Sequence, residues 1–361
     1  MWDTYKEGSL KETTRETRGQ GIRRRVIPQA KLPKDFSSFL RDPNNKEEFF
    51  ELLSEDINTV ELPPEKIVRI TKGQSVITKG PVGPMPNSDQ EEADTRMCLH
   101  IADAAKHGAR KIMVSTVDTD VIVILIGIFF RLSALYPDLQ IWVAFGKGKS
   151  FRYYNISSIC SKLGEQTSRA LPFFHSLTGS DTTSQFLGKA KRSCWEAWKH
   201  LPQTTTAFLY PFQHPFQPMS ISSPNFQIIQ NFVCILYDSA SSTREVNKLR
   251  MELFPRKIAM MQKLPPTEAA LIQHVNRSIY QANIWLKCLD AEQHLPSPEA
   301  FGWLKIGSMW KPLWTTLPEV EKTCRQLIKC GCKAEPKCSK KCACKNTGLR
   351  CTELCLCRGL C

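Results

Sequence analysis

Residues 111–126 limit the possible folds of this chain more than any other stretch. They read Lys111-Ile-Met-Val-Ser-Thr-Val-Asp118-Thr-Asp120-Val-Ile-Val-Ile-Leu-Ile. β-Branched and apolar residues at 112–117, after Arg110 and Lys111, predict a central strand of a covered parallel sheet. The apolar run beyond Asp120 predicts a helix over 121–135. Open α/β sheets carry their chemistry at the carboxyl ends of such strands, so Asp118 and Asp120 are placed to hold a cation. The plainer reading is that Asp118 only N-caps the helix. A second acid two residues on, with further acids before and after in sequence, favours the cation.

The flanking segments extend the same pattern. Asp89 with Glu92 three residues later makes a capping-box-like helix start. Met97, Ile101, Ala104 and Ala105 supply its buried stripe, and Gly108 ends it. Strands are expected at 140–145 and 151–154, then helices at 156–163 and 170–177. Alternation at this spacing implies an α/β fold, a parallel sheet with helices on its faces. Earlier, 47–57 reads as a short helix and 75–78 as a strand. Residues 185–200 read as a basic helix, and 203–225, rich in Thr, Pro, Phe and Ser, as a linker. Further helices are expected at 226–237, 243–261 and 267–288. Trp303, Trp310 and Trp314 belong to an irregular aromatic segment packed on that helical layer.

With 361 residues the chain has room for two or three domains. A net charge of +14 makes polyanions natural partners. No apolar leader opens the chain, and the apolar run at 121–130 is too short to span a bilayer, so no membrane partner is expected. Nine of the fifteen cysteines fall in the last 32 residues. Such density implies an intracellular, metal-bound tail rather than disulfides.

Six acids form the candidate catalytic set: Asp3, Glu92, Asp94, Asp118, Asp120 and Asp181. Each falls at an expected strand end, helix start or Gly-marked turn. Hard cations such as Mg²⁺ or Mn²⁺ take oxygen ligands. Two such ions can activate a water and steady the leaving oxygen of a phosphodiester. Without cations, crowded carboxylates would repel one another and hold protons. Glu92 and Asp94 lie two apart on a helix and point in different directions, so one of them acts through water or a second ion. His100, His107 and His175 lack metal-ligand spacing and are expected to be structural.

The order of these motifs resembles PIN-like nucleases of the flap-endonuclease type. Trp2-Asp3-Thr4-Tyr5, followed by basic residues through Arg23, Arg24 and Arg25, matches that family's strand-end Asp and basic arch, here about residues 4–60. Glu92-Ala93-Asp94 matches its Glu-Ala-Glu helix start, and Asp118-Thr119-Asp120 its Asp-x-Asp. Gly179-Ser180-Asp181, with Lys189, Lys191 and Arg192 beyond, matches the Gly-x-Asp before a backbone-gripping hairpin. The resemblance covers about residues 1–200. It implies a metal-dependent nuclease; that family's first metal-binding Asp lies on a strand before the arch, so here either the chain is truncated ahead of Asp3 or that strand is absent. The hairpin's pair of Gly-rich turns is reduced to one, at Gly188. Asp118-Thr-Asp120-Val also resembles the nucleophile motif of haloacid-dehalogenase-type phosphatases, but Gly179-Ser180-Asp181 fits their later acidic motif poorly. Gly148-Lys149-Ser150 lacks the upstream glycine of a phosphate loop.

The tail holds Cys330, Cys332, Cys338, Cys342, Cys344, Cys351, Cys355, Cys357 and Cys361. Thiolates so closely spaced suit tetrahedral zinc. Nine sulfurs complete three zinc ions if three of them bridge. The spacing resembles the tesmin-type CXC domain, a DNA-binding zinc module; a metallothionein-like or purely structural knot is the alternative. Lys340, Lys341, Lys345 and Arg350 are then free to meet phosphates. The family's groove-reading Tyr is replaced by Lys341, which favours phosphate binding over base readout.

The combined expectation is a PIN-like nuclease domain at 1–200, a linker and helical region at 201–325, and a CXC zinc domain at 326–361. The whole resembles open reading frames derived from animal mobile elements. The implied function is divalent-metal-dependent phosphodiester hydrolysis, with DNA (or RNA) as partner and a nuclear location. The competing function is a catalytically inactive DNA-binding or chromatin adaptor that keeps the nuclease fold.

Overall fold

A computed structural model describes residues 1–6, 8–17, 21–254, 263–314, 330–332, 342–346, 351 and 355–358. The chain is a mixed α/β protein of small sheets and many helices, with a cysteine-rich C-terminal tail. It divides into two compact units, Met1–Leu313 and Trp314–Cys361.

In the larger unit the N-terminal part holds helices α1 (Leu10–Thr17), α2 (Phe36–Phe39) and α3 (Pro43–Thr59) and the hairpin β1 (Val68–Lys72) and β2 (Ser75–Lys79). Asp42 caps α3 by accepting from the amide of Asn45 at 3.1 Å, and Pro43 occupies its first turn. Residues 1–3, expected as a strand end, form no regular element. Their place is fixed by contacts: Trp2 stacks on Phe50 at 4.4 Å, and its backbone N–H donates to Thr71 Oγ1.

The αβ core follows as α4 (Ala93–Lys106), β3 (Lys111–Thr116), α5 (Thr119–Leu135), β4 (Gln140–Phe145), β5 (Arg152–Asn155) and α6 (Ile156–Leu163). β3 and β4 run parallel, with Lys111 opposite Gln140 and Thr116 opposite Phe145. β5 joins β4 antiparallel, so this described sheet is mixed rather than parallel throughout. β3 lies at its edge, not in its centre. Only one of its faces is packed: Val114 is buried while Met113 is 63% exposed. Period-two alternation explains this, since residues 112 and 114 face the helices and 113 and 115 face away. The expectation of a strand covered on both faces fails for that reason.

α7 (Glu165–Leu177) crosses α5 closely enough that a side chain at Gly127 would collide with the ring of Pro172. Then come α8 (Lys191–His200), α9 (Thr204–Phe208), α10 (Tyr210–Gln213), α11 (Pro224–Tyr237), α12 (Val246–Leu253) and α13 (Glu268–Leu286), and the hairpin β6 (Trp303–Ile306) and β7 (Met309–Pro312). The segment 203–225, expected as a linker, places α9 and α10 in the core. Thr204, Ala207 and Phe208 are fully buried, and Phe208 meets Phe173, Trp198 and Phe232 edge-on. Its Pro and Thr content had masked two short helices whose stability comes from packing rather than propensity.

α13 is buried along nearly its whole length. Leu271, Val275 and Ile279 face the helical core, and Trp285 enters the core under the sheet. One continuous fold therefore spans the αβ part and the helical part. No helix among the described residues is long and apolar enough to cross a membrane.

Phe208→Ala should lower the stability of the chain by about 3–5 kcal/mol, the usual cost of deleting a buried aromatic. Urea denaturation followed by tryptophan fluorescence reads this directly; a change under 1 kcal/mol would mean that 203–225 is a loose connection after all.

Candidate functional site

Two helix N-termini and one turn bring the acids together. Glu92 and Asp94 stand at the start of α4, Asp118 at the N-cap of α5, and Asp181 in the turn after α7. Gly179 makes that turn, with a φ of +113° and Gln185 packed where a Cβ would lie. Asp3 reaches the same place from the chain start, where its Oδ1 accepts from the amide of Ala93 at 2.9 Å. It thereby caps α4 in place of the Asp89–Glu92 box expected from sequence; Asp89 instead accepts from the amide of Gln293. Asp3, Glu92, Asp94, Asp118 and Asp181 all line one cavity of about 400 Å³. Both helix dipoles present their positive ends to it.

Asp120 does not line that cavity. Its Oδ1 lies 2.9 Å from Nε2 of His175 on α7, in a pair whose members are 16% and 9% exposed. Asp118 Oδ1 accepts from the amide of Asp120 at 2.9 Å, which is the N-cap geometry. Capping and cavity lining are thus met by one side chain, because its second oxygen is not used by the cap.

Cations already enter the cavity from the N-terminal segment. Lys11 Nζ lies 3.1 Å from Glu92 and 3.4 Å from Asp181, and Lys46 lies 3.9 Å from Asp3. Burial pulls the Lys11 ammonium toward neutrality, but the Glu92 and Asp181 carboxylates more than reverse this and raise its pKa. Burial also raises Glu92, against the pull of Lys11. Asp94 has no cationic partner among the described residues. Desolvation, and then the charges of Glu92, Asp118 and Asp3, push its carboxyl up to about 7. Burial is the larger cause and the neighbouring carboxylates the next, with Lys11 pulling the other way.

The basic residues expected to contact nucleic acid have varied settings. Arg23 pairs with Glu48 and donates to Asn45 Oδ1, whereas Arg24, Arg25 and Arg192 are exposed. Lys189 lies over the ring of Tyr237 at 5.0 Å. The Lys191 ammonium turns inward onto the carbonyls of His175 and Gly179 and the hydroxyl of Thr178, and burial lowers it to about 8. Lys345 is exposed, while Lys340, Lys341 and Arg350 lie outside the described residues. Sequence reasoning missed Lys11 and the His175–Asp120 pair. The one available signal for Lys11 was its spacing of four from Arg15, which puts both cations on one face of α1.

The tail holds a cysteine cluster that can bind a metal ion such as zinc. Cys330, Cys351, Cys355 and Cys357 form one set with sulfurs within 4.8 Å of one another, and Cys330, Cys342, Cys344 and Cys351 a second. The two sets share Cys330 and Cys351. Sulfur–sulfur distances of 3.6 Å (330–351), 3.9 Å (330–357) and 3.8 Å (342–351) match the edge of roughly 3.8 Å that a thiolate tetrahedron around zinc requires. Cys332 belongs to neither set, and Cys338 and Cys361 lie outside the described residues. Among the described residues, ligand sets this tight occur only in the tail; the carboxylates of the acidic cavity are spaced more widely. The chain matches no family model, no curated protein and no solved structure.

The raised Asp94 carboxyl gives a pH signature. The folded chain keeps this proton to about 7 while the unfolded chain releases it near 3.8, so Asp94 costs stability progressively as pH rises between those values. Asp94→Asn should therefore leave the melting temperature unchanged at pH 4 and raise it at pH 8, by roughly 2–4 °C for each kcal/mol recovered. Equal melting temperatures at both pH values would remove Asp94 from the buried, repelled set. Zinc measured per chain after metal-free dialysis, then after strong chelation, tests the tail: stoichiometric metal that is lost only to the chelator is expected.

Proposed function

We propose that this chain is a divalent-metal-dependent phosphodiester hydrolase acting on nucleic acid, with a PIN-like catalytic fold and a zinc-cysteine tail that tethers it to DNA. The observation that carries the reading is the convergence of Asp3, Glu92, Asp94, Asp118 and Asp181 on one cavity, from segments up to 178 positions apart. Mg²⁺ or Mn²⁺ held there would supply a bound hydroxide and charge neutralisation for the phosphodiester. Asp94 and Asp118 are the first candidates to hold it, because neither makes a direct ion pair with a lysine or arginine among the described residues, whereas Glu92, Asp181 and Asp3 do. Lys11, standing between Glu92 and Asp181, is placed to accept charge from an entering phosphate. His175 holds the Asp120 carboxylate and so orients the first turn of α5, next to the N-cap Asp118.

In the tail, three zinc ions shared among nine thiolates would leave a net charge near +2, which suits a phosphate backbone. Exposed Arg24, Arg25 and Arg192 would extend that attraction along the larger unit. A basic protein of this kind belongs with DNA, hence in the nucleus.

The same Lys11 bridge supports a second reading, a chain that keeps the fold as a non-catalytic DNA-binding adaptor. An ammonium paired with two acids can take the place of a cation permanently. Cleavage of labelled single-stranded and branched DNA in Mn²⁺ separates the two. The hydrolase reading expects cleavage by the wild type and a loss of at least about 10²-fold in the Asp94→Ala and Asp118→Ala variants, the scale of removing a group that stabilises the transition state. Equal rates in wild type and both variants would leave the adaptor.

A further inference from the structure

A second cavity, of about 320 Å³, lies beside the acidic one, and Lys11 and Glu92 line both. We propose that it takes a nucleobase of the strand whose backbone lies at the carboxylates. This rests on the hydrolase reading and names the part of the substrate that the acidic cavity leaves unread.

The walls suit a flat, partly polar ligand. Tyr280 and Trp310 contribute aromatic surface, with Leu295 and Pro296 beside them. The polar ends of both rings are occupied within the protein: Tyr280 Oη donates to the carbonyl of Pro296 at 3.0 Å and Trp310 Nε1 to the carbonyl of Gly8 at 2.8 Å. Both rings are nearly buried, Tyr280 against Phe216 and Phe301 and Trp310 beneath Lys305 Nζ, so what they offer a ligand is the small apolar surface left at the cavity wall. Every nucleobase has a π-face for such surfaces, and enzymes that act on nucleic acid commonly draw a base into a pocket of this kind.

Gln281, also lining this cavity, supplies the recognition element. It is 3% exposed, and its Oε1 accepts from the hydroxyl of Thr182 at 2.5 Å, yet its Nε2 has no partner among the described residues. Turning the amide over would exchange the two ends and still leave one unmade. On the same buried helix Trp285 Nε1 is likewise without a partner among the described residues, whereas the neighbouring amides are bonded. Asn276 bonds both to and from the backbone of Met219, and Asn283 donates to the carbonyl of Ile279. A buried amide left half-satisfied is costly, and a ligand that brings the missing partner accounts for its retention. The edge of a base carries carbonyl and ring-nitrogen acceptors suited to that N–H.

Charge does not oppose entry. Glu91 is paired with Arg15 at 2.7 Å, Asp89 lies 3.8 Å from Lys6, and Glu92 is paired with Lys11. A nucleotide could thus place its base among Tyr280, Trp310 and Gln281 while its phosphate meets Lys11 at the boundary of the two cavities.

Photocrosslinking of the full chain tests this. A single-stranded oligodeoxynucleotide carrying one 5-iodouracil would be bound in Ca²⁺, irradiated, and the crosslinked peptides mapped by mass spectrometry. Crosslinks at Tyr280 or Trp310 are expected, with yield reduced about tenfold in Gln281→Leu, the equivalent of one good contact. Leu295→Trp, which fills the cavity from an exposed rim position, should abolish the Tyr280 crosslink while the oligonucleotide is still retained. Crosslinks confined to tail peptides, or a Tyr280 crosslink indifferent to both variants, would overturn the base pocket. Mn²⁺-dependent cleavage that survives Leu295→Trp unchanged would overturn it too, yet leave the hydrolase reading standing. No binding and no cleavage would end both.

Discussion

Five carboxylates in one partly buried cavity repel one another, and the surrounding fold is arranged around that repulsion. The positive ends of α4 and α5 face it, and Asp3 and Asp118 spend one oxygen each on backbone amides at those ends. Lys11 and Lys46 arrive from the N-terminal segment. The compensation is incomplete at Asp94, whose proton is held to about 7.

The N-terminal segment matters because it closes the cavity. Trp2 stacked on Phe50, and Trp310 bound through backbone N–H and indole N–H to Thr13 and Gly8, tie residues 2 and 8–13 to α3 and β7. α13 does comparable work deeper in the molecule. Its apolar residues serve both cores, and its polar residues reach out to fix the elements around it. His274 contacts the carbonyl of Leu177, and Arg277 donates to those of Gly302 and Leu313. Placing so many polar groups on a buried helix is tolerable only because nearly all are bonded. Among the described residues the exceptions on this helix are Gln281 Nε2 and Trp285 Nε1.

The tail obeys a different rule. Among the described residues its buried side chains are all cysteines, whose sulfurs could act as metal ligands where other units have an apolar core. Sulfurs 3.6–3.9 Å apart are too distant for disulfides and right for neighbouring ligands of one metal. In a unit this small, ligation of a metal by those sulfurs would contribute folding energy that burial alone does not supply.

Local pattern determined much of this protein. The β-branched run before Asp118 becomes β3, Asn155 and Thr267 cap their helices, and the cysteine spacing alone marks the tail, because each depends on residues a few positions apart. Tertiary structure decided the rest. Phe208 looks like part of a linker until four aromatic rings surround it. β3 was expected to be central, yet it lies at an edge, since strand order is set by pairing and not by composition. Lys11 meets Asp181 across 170 positions and His175 meets Asp120 across 55, and no local pattern encodes such a meeting. Charge and burial act through space, so a titratable group acquires its role only when the folded chain chooses its neighbours.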